Sequence, residues 1–258
     1  MTNMSRFDWK KAMKEYGNFD RLDSLPISVV IPVKNERDYI GSSIESVAPY
    51  VREVLIVANG STDGSDIIAK EYESLFNNVK VYKTPGIGVS AARNLGASKS
   101  SGEIIYFLDA DTLSSRETLN SIYESVGRGS EGGWTRLRAD DPDFQSYYDW
   151  TNLWGLFGKS ATGASMYITR NLLERLESVY GEVFPSHMTK NEDVVAAKRM
   201  MKIGRGVRRL NTEAITATDN ISKKGIEGAW AERILNGVFS YLGGRIENES
   251  TPVKYSFA

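Results

Sequence analysis

The sequence predicts an α/β fold in which a mostly parallel central sheet is flanked by helices. Short runs of β-favouring apolar residues alternate along the chain with longer segments whose apolar residues recur at helical spacing. Clusters of Gly, Asn and Asp, which favour turns, separate the two kinds of segment. A length of 258 residues is sufficient for one large domain of this class with a full core.

The first half of the chain is expected to alternate regularly between strand and helix. Each predicted strand is a short apolar run bounded by turn residues, which is typical of a strand that is buried on both faces. The predicted strands cover residues 27–33, 53–57, 79–83 and 103–108. The predicted helices, the third with a loop before it, cover residues 38–50, 65–76, 86–99 and 114–126. In the last of these, Leu119, Ile122 and Val126 recur at the spacing of a helix face that packs on a core.

The alternation loosens after residue 127. Strands are expected at residues 132–139, 165–169 and 207–218, and helices at residues 171–180, 191–204 and 226–242. Residues 144–157 are rich in aromatic side chains, which indicates either core packing or a platform for an acceptor. We expect an N-terminal extension over residues 1–26, one domain over residues 27–225 and a C-terminal helix and tail over residues 226–258.

Composition and charge limit the classes of function. The net charge of −1 lacks the basic excess of a nucleic-acid-binding protein. The absence of Cys excludes disulfides, thiolate nucleophiles and Cys-based zinc sites, and it fits a reducing compartment. The polar N-terminal segment is unlike a secretory signal, and no apolar run approaches the ~20 residues of a membrane span. We therefore expect a cytoplasmic protein without a nucleic-acid partner, in contact with a membrane only at its periphery.

Two carboxylates, Asp109 and Asp111, directly follow the strand predicted at residues 103–108. Open α/β sheets bind ligands at the carboxyl ends of their strands. Side chains alternate along an extended chain, so positions 109 and 111 are expected to point the same way. Such a pair suits Mg²⁺ or Mn²⁺ that also holds a diphosphate. The alternative is that these Asp side chains only end the strand by bonding to their own backbone.

Polar residues also follow the first two predicted strands. Pro32 is expected to interrupt strand pairing, and Glu36 is expected to offer its carboxylate to a ligand. Asn59 and Asp63 lie in a turn cluster from which they could read a nucleobase and a ribose. The structural alternative for this cluster is that Ser61 only starts the next helix.

Residues 86–91 match the dinucleotide-binding pattern G-x-G-x-x-A, and Asp109 follows about 20 residues later. A dinucleotide-dependent oxidoreductase is therefore an alternative function. Against it, the pattern follows the third predicted strand rather than the first, and Pro85 lies in the turn. In the other interpretation, Gly88 lets this loop move over a ligand while Arg93 approaches its phosphates. Arg93 could also be an ordinary surface residue of the helix.

An acidic pair, Glu192 and Asp193, opens the helix predicted at residues 191–204. Acidic residues in a first helical turn are favoured by the helix dipole, so these residues could act only as caps. Alternatively, one carboxylate is a catalytic base that removes a proton from an acceptor hydroxyl.

Taken together and in order, these motifs resemble the inverting family 2 glycosyltransferases of the GT-A fold. The segments that carry the resemblance are PVKNE, NGSTDG, GVSAARNLG, FLDADT, TGASMYITR and NEDVVAAKRM. The resemblance implies that residues 27–225 form a GT-A domain. Its Rossmann-like half, residues 27–126, would bind a nucleotide-diphosphate-sugar donor of UDP or GDP type. Residues 127–225 would bind a glycan, lipid-linked or small-molecule acceptor.

The resemblance also implies roles for single residues. Asp111 would bind the Mg²⁺ or Mn²⁺ that bridges the two phosphates, and Asp109 would bind the ribose or the metal. Asp193 would be the catalytic base. The donor-binding residues would be Pro32, Glu36, Asn59, Asp63, Gly88, Arg93 and Asp109. The acid pair that reads the base in this family is replaced here by Ala and Asn at positions 58 and 59, which leaves the base open.

The same motifs leave two alternative functions open. One is a polyprenyl-phosphate sugar synthase, whose phosphate acceptor would need little help from a base. The apolar surface of the helix predicted at residues 226–242 would then dock on a membrane rather than on the core. The other rival is a catalytically silent protein that binds a nucleotide sugar.

Overall fold

The described strands form one sheet in the computed structural model, which describes residues 24–156, 163–225 and 227–231. The strands are β1 (Leu25–Val33), β2 (Val51–Asn59), β3 (Val79–Thr84), β4 (Ile104–Leu108), β5 (Thr112–Ser114), β6 (Gly132–Ala139), β7 (Ser165–Thr169) and β8 (Arg208–Thr216). Their order across the sheet is β3-β2-β1-β4-β7-β6-β8-β5. Every strand predicted from the sequence is present among them.

Helices cover both faces of this sheet. They are α1 (Ile40–Val47), α2 (Ser65–Leu75), α3 (Val89–Lys99), α4 (Arg116–Gly127), α5 (Gln145–Leu156), α6 (Arg170–Tyr180), α7 (Glu192–Ile203) and α8 (Asp219–Lys224). Within the aromatic tract, for which we predicted no regular element, Gln145–Leu156 form α5. Of the helix predicted at residues 226–242, residues 227–231 are helical and the rest lies outside the described residues.

The sheet is parallel in its first half and mixed in its second. Strands β1, β2, β3 and β4 pair in parallel, as the sequence predicts. Strand β7 runs antiparallel to both β4 and β6, and β5 runs antiparallel to β8. Because β6 and β8 also pair in parallel, the expectation of a mostly parallel sheet is confirmed, with β7 and β5 as its antiparallel strands. An apolar run predicts that a strand is buried, but it does not encode the direction of its neighbours.

The strand β5 is the one described strand that the sequence did not predict. It spans three residues, and the predicted helix at 114–126 took in its last residue, Ser114. Its pairing partner is β8, where Thr216 lies opposite Thr112. A strand this short has no periodicity of its own, so only its distant partner defines it.

Two apolar clusters cover the two faces of the central strands. Val29 and Ile31 of β1 face the cluster that contains α1 and α4, whereas Val30 faces the cluster that contains α3, α6 and α7. A Cβ at Gly96 would lie 2.2 Å from Val30 Cγ1, so only glycine lets α3 pack this closely on β1. Because α3 follows β3 in the chain, its N-terminus lies at the carboxyl edge of the sheet.

A buried carboxylate joins the amino ends of the central strands. Glu53 in β2 is 5% exposed. Its Oε1 accepts hydrogen bonds from Ser28 Oγ at 2.6 Å and from the Ser101 N–H at 2.6 Å. Burial by itself would raise the pKa of Glu53, but these hydrogen bonds outweigh burial and hold that pKa below its ordinary value. The ionised carboxylate therefore stabilises the fold.

Glu53→Gln should lower the free energy of unfolding at neutral pH by roughly 1–2 kcal/mol, because hydrogen bonds to a charged acceptor become neutral ones. A group with a depressed folded-state pKa contributes its stability above its unfolded pKa and loses it as the pH falls through the folded value. The variant should therefore also lose part of the acid dependence of stability. Urea titrations from neutral to acidic pH measure both effects.

The control for this prediction is Glu124→Gln. Glu124 forms an ion pair with Arg128 on the surface of α4, where both side chains are more than half exposed. Its replacement should leave stability within about 0.5 kcal/mol of the wild type. Equal losses for the two variants would contradict the stabilising role of the Glu53 network.

Candidate functional site

An open cleft of about 380 Å³ lies at the carboxyl ends of β1, β2 and β4. The lining residues are Pro32, Val33, Lys34, Glu36, Asn59, Gly88, Val89, Asp109, Ala110 and Asp111. The lining includes Pro32, Glu36, Asn59, Gly88, Asp109 and Asp111, which the sequence singled out for a donor or a metal. The parallel half of the sheet brings these residues together because its strands end at one edge.

Asp109 and Asp111, the two carboxylates of the segment FLDADT, lie in a turn that follows β4. The N–H of Asp109 donates to the Ala164 carbonyl at 3.2 Å, and the N–H of Thr112 donates to the Asp109 carbonyl at 3.0 Å. The chain has therefore left the extended conformation at this point. Our argument from the alternation of an extended strand is wrong, although both residues line the cleft as expected.

The cleft concentrates negative charge. Burial and the neighbouring Asp109 carboxylate raise the pKa of Asp111 to about 7, although the Thr112 hydroxyl donates to Asp111 at 3.1 Å. Burial, then Asp111 and Asp109, also raise the pKa of Glu36 to about 7, whereas Lys223 acts in the opposite direction. These carboxyl groups repel one another in a shielded site, so a cation would favour their ionised forms.

The side chain of Asn59 binds the end of β3 and the glycine-containing loop that follows it. Its Oδ1 accepts hydrogen bonds from the Ile87 N–H at 2.7 Å and from the Thr84 hydroxyl at 3.0 Å. Pro32 is the residue before the last in β1. The pairing of β1 with β2 continues through Pro32 to Val33. Pairing with β4 ends two residues earlier, at Val30. The predicted interruption by Pro32 therefore holds on the β4 side only.

Asp63 lies outside the lining of the cleft. Its Oδ1 accepts from the Ser65 N–H at 2.9 Å, and its Oδ2 accepts from the Arg37 N–H at 3.0 Å. These bonds tie the start of α2 to the loop that carries Glu36. The structure thus gives Asp63 a role in supporting the loop, and direct contact with a donor stays a prediction.

The G-x-G-x-x-A segment, residues 86–91, spans the loop after the edge strand β3 and the first turn of α3. Gly86 and Gly88 have φ angles of +93° and +87°, which glycine adopts without strain. The dinucleotide fingerprint belongs to the first strand–helix–strand unit of its fold, which here is β1–α1–β2. The position of the segment therefore disfavours the oxidoreductase alternative.

Arg93 is buried between Asp109, which lines the cleft, and Glu192 of the acidic pair. The residue is 3% exposed, so the interpretation as a surface residue is wrong. Its Nη2 donates to Asp109 Oδ1 at 2.7 Å and its Nη1 donates to Glu192 Oε1 at 3.0 Å. The guanidinium also lies over the Phe184 ring, 5.3 Å from its centroid. Sequence reasoning missed this bridge, which joins residues 99 positions apart.

The carboxylate of Asp193 is held beside this bridge. Its Oδ2 accepts from the Gly163 N–H at 2.9 Å, and its Oδ1 accepts from the Val194 N–H at 2.8 Å. Burial and the adjacent Glu192 raise the pKa of Asp193, while the two N–H groups and Arg93 oppose this rise. The residue as a whole is half-buried. Sequence reasoning missed Gly163, although the segment TGASMYITR contains it.

Helix capping alone does not account for the acidic pair. The side chains of Glu192 and Asp193 contact Arg93 and the Gly163 N–H, and both partners lie outside α7. Asn191, the residue before α7, has a φ of +61° and makes no side-chain cap bond. Such left-handed backbone is uncommon outside glycine and concentrates at functional sites.

No helix among the described residues is long and apolar enough to cross a bilayer. The same residues contain no group of three or more Asp, Glu, His or Cys side chains that could hold a metal ion by themselves.

Comparison with curated proteins finds relatives that are longer than this chain. Glycosyltransferase AglE of Haloferax volcanii is 30% identical over 191 residues, which cover 69% of this chain and 62% of AglE. Glycosyltransferase GlyA of Streptococcus pneumoniae serotype 4 is 23% identical over 247 residues, which cover 85% of this chain and 34% of GlyA. The chain thus spans about a third of GlyA and less than two thirds of AglE.

Comparison with solved structures confirms the GT-A fold. TarS of S. aureus superposes with a TM-score of 0.61 at 18% identity, covering 75% of this chain and 61% of that one. The mannosyltransferase PcManGT of Pyrobaculum calidifontis, solved with GDP-Man and Mn²⁺, has a TM-score of 0.63 at 21% identity, covering 95% and 72%. The family model for glycosyl transferase family 2 matches residues 28–194, and this chain belongs to that family.

Proposed function

We propose that this chain is a metal-dependent, inverting glycosyltransferase. It moves a sugar from a nucleotide-diphosphate-sugar of UDP or GDP type to a hydroxyl of a glycan, lipid-linked or small-molecule acceptor. The observation that carries the proposal is one connected site: a cleft that contains Asp109 and Asp111 is joined through Arg93 to the pair Glu192 and Asp193. TarS with UDP-GlcNAc and PcManGT with GDP-Man support a donor of this type.

The residues of the cleft fit a divalent metal. Asp111 and Asp109 are its proposed ligands. Burial and the nearby Asp109 carboxylate raise the pKa of Asp111 to about 7, and a bound cation would oppose both effects. Mg²⁺ is commonly held by one or two carboxylates, with water and substrate phosphates completing its coordination. The lack of a third acidic ligand among the described residues agrees with that arrangement. When bound, Mg²⁺ or Mn²⁺ would neutralise the charge that develops on the leaving diphosphate.

The donor is proposed to lie along the carboxyl edge of the sheet. Pro32, Asn59 and Gly88 all line the cleft, and we assign them to the binding of the nucleoside and the diphosphate. Glu36 faces the same space and would contact the nucleoside. We assign Asp63 an indirect part, since its two oxygens hold the loop that carries Glu36.

Asp193 is the proposed catalytic base. A carboxylate whose pKa lies above its ordinary value is a stronger base, and the ideal base has a pKa near the working pH. The acceptor oxygen forms a bond to the anomeric carbon while the bond to the diphosphate breaks. The hydroxyl proton passes to the Asp193 carboxylate. A single displacement of this kind inverts the configuration at the anomeric carbon.

Calorimetric titration with UDP, GDP, CDP, dTDP and NADH, each with and without Mn²⁺, tests this proposal. We expect UDP or GDP to bind tightly only when Mn²⁺ is present, because Asp109 and Asp111 would hold the metal and the metal would offset the charge of the diphosphate. NADH should not bind under either condition. Binding of NADH that is independent of metal, together with no binding of any nucleoside diphosphate, would overturn the proposal in favour of the oxidoreductase alternative.

A further inference from the structure

Arg93 connects three parts of the candidate site. It lies in α3, and its two terminal nitrogens pair with Asp109 after β4 and with Glu192 at the start of α7. Burial by itself would lower the pKa of Arg93, but the Asp109 and Glu192 carboxylates raise it. The guanidinium is therefore charged, and it balances carboxylates from both halves of the site.

The surroundings of Arg93 leave it little freedom. The Phe184 ring covers the guanidinium, and the same ring packs edge-on against Phe107, with 4.8 Å between the ring centroids. On another side, a Cβ at Gly163 would come within 2.7 Å of Nη2, so a larger residue there would displace the guanidinium. Arg93 is not among the residues that line the cleft. The structure therefore does not support our prediction that Arg93 approaches the phosphates of a donor.

The next residue of α3, Asn94, extends the same connection. Its Oδ1 accepts from the Phe184 N–H at 3.1 Å, and its Nδ2 donates to the Phe184 carbonyl at 2.7 Å. Both backbone groups of Phe184 are thus bound to one side chain. The loop that precedes α7 is fixed to α3 by Asn94, while the first residue of α7 is fixed to α3 by Arg93.

We propose that Arg93 is a positioning residue that couples Asp109, a carboxylate of the cleft, to the proposed catalytic base Asp193. One guanidinium sets the distance between Asp109 and Glu192, and Glu192 is bonded in sequence to Asp193. The base is therefore aligned relative to the bound donor through Arg93, without contact between Arg93 and the reacting atoms. This inference rests on the proposed function, and it replaces a phosphate-binding role for Arg93 with a role between two protein carboxylates.

The test uses Glu192→Gln and Arg93→Lys. In Glu192→Gln, Arg93 keeps its pair with Asp109, so the Kd for UDP or GDP with Mn²⁺ should stay within about twofold of the wild type. The kcat for transfer should fall on the order of 10- to 100-fold, because small misplacements of catalytic groups carry costs of this size. A lysine at position 93 can pair with only one carboxylate, so kcat should fall and the donor Kd should rise together.

The matched control is Glu131→Gln. Glu131 is also largely buried and accepts hydrogen bonds from Arg175 at 2.5 Å and from the Arg205 N–H at 2.7 Å, outside the candidate site. This variant should lower the Tm without changing kcat. If Glu192→Gln behaves like Glu131→Gln, Arg93 has only a structural role and the inference is overturned. A higher donor Kd in Arg93→Lys, with normal kcat in both site variants, would instead identify a phosphate ligand and overturn it as well.

A readout without metal or donor separates this inference from the proposed function. Thermal unfolding of the wild type, Arg93→Lys, Glu192→Gln and the double variant forms a cycle in which contacting residues are non-additive. We expect the double variant to lose less Tm than the two single losses combined. Additive losses would overturn the link between Arg93 and Glu192 even if the enzyme is active. A wild type that neither binds nor transfers, with a non-additive cycle, would overturn the proposed function and leave the link supported.

Discussion

Asp193→Asn should lower the kcat for transfer to a hydroxyl acceptor by on the order of 10²- to 10⁴-fold, the range by which a general base contributes. The amide has the shape of the carboxylate and keeps one oxygen that can accept from the Gly163 N–H. It cannot take up the acceptor proton. Donor binding should be unchanged, because Asp193 lies outside the lining of the cleft. Initial rates with saturating donor and calorimetry with the nucleoside diphosphate measure the two effects.

A suitable control is Asp149→Asn, which changes an exposed carboxylate of α5 that accepts a hydrogen bond from Gln145. Its transfer rate should equal that of the wild type. If Asp193→Asn transfers to a hydroxyl at the wild-type rate, the base lies elsewhere. If it transfers at that rate to a polyprenyl phosphate only, the chain is a polyprenyl-phosphate sugar synthase, because a phosphate acceptor arrives already ionised.

Asp111→Asn should remove the Mn²⁺-dependent part of the affinity for UDP or GDP. Metal interactions with a phosphate are worth several kcal/mol, so the loss should be on the order of 100-fold or more. Calorimetric Kd values with Mn²⁺ and with EDTA give this difference directly. The metal-free Kd should change little, because the variant alters only one charge in the lining of the cleft.

The stability of this variant provides a second, opposite readout. Burial and the nearby Asp109 carboxylate disfavour the ionised form of Asp111, so the neutral amide should keep or raise the Tm in metal-free buffer. The control Asp66→Asn breaks the ion pair between Asp66 of α2 and Lys83 of β3, and it should leave nucleotide affinity unchanged. An Asp111→Asn protein that is unfolded, or that binds with full Mn²⁺ dependence, would contradict the assigned role.

Local sequence patterns account for the architecture of the first half of the chain. The apolar runs of β1 and β4 are short and bounded by turn residues, so each could be placed from its own residues. The sequence did not predict strand β5 or helix α5, and the physical reason differs between the two. Strand β5 is too short to show a period, and α5 carries aromatic residues on several sides, so its pattern does not separate a helix from a strand.

The site shows the same division between local and distant information. Asp109 and Asp111 could be assigned to the sheet edge because they follow a predicted strand directly. The contacts of Asp63 could not, because whether a carboxylate faces a ligand or a neighbouring N–H depends on the loop opposite it. For Arg93 both partners come from other elements, and the sequence signal, a lone Arg among small residues of α3, does not name them.

By itself, the sequence determined the order of strands and helices in the first half, the chemical groups at their ends and the family to which the chain is similar. These features depend on residues that are neighbours along the chain. Only the tertiary structure decided that β7 runs antiparallel, that burial and neighbouring carboxylates raise the pKa values of Asp111 and Glu36, and that Arg93 bridges Asp109 to Glu192. Burial, pairing direction and charge coupling are set by distances between residues far apart in the chain, which no local pattern encodes.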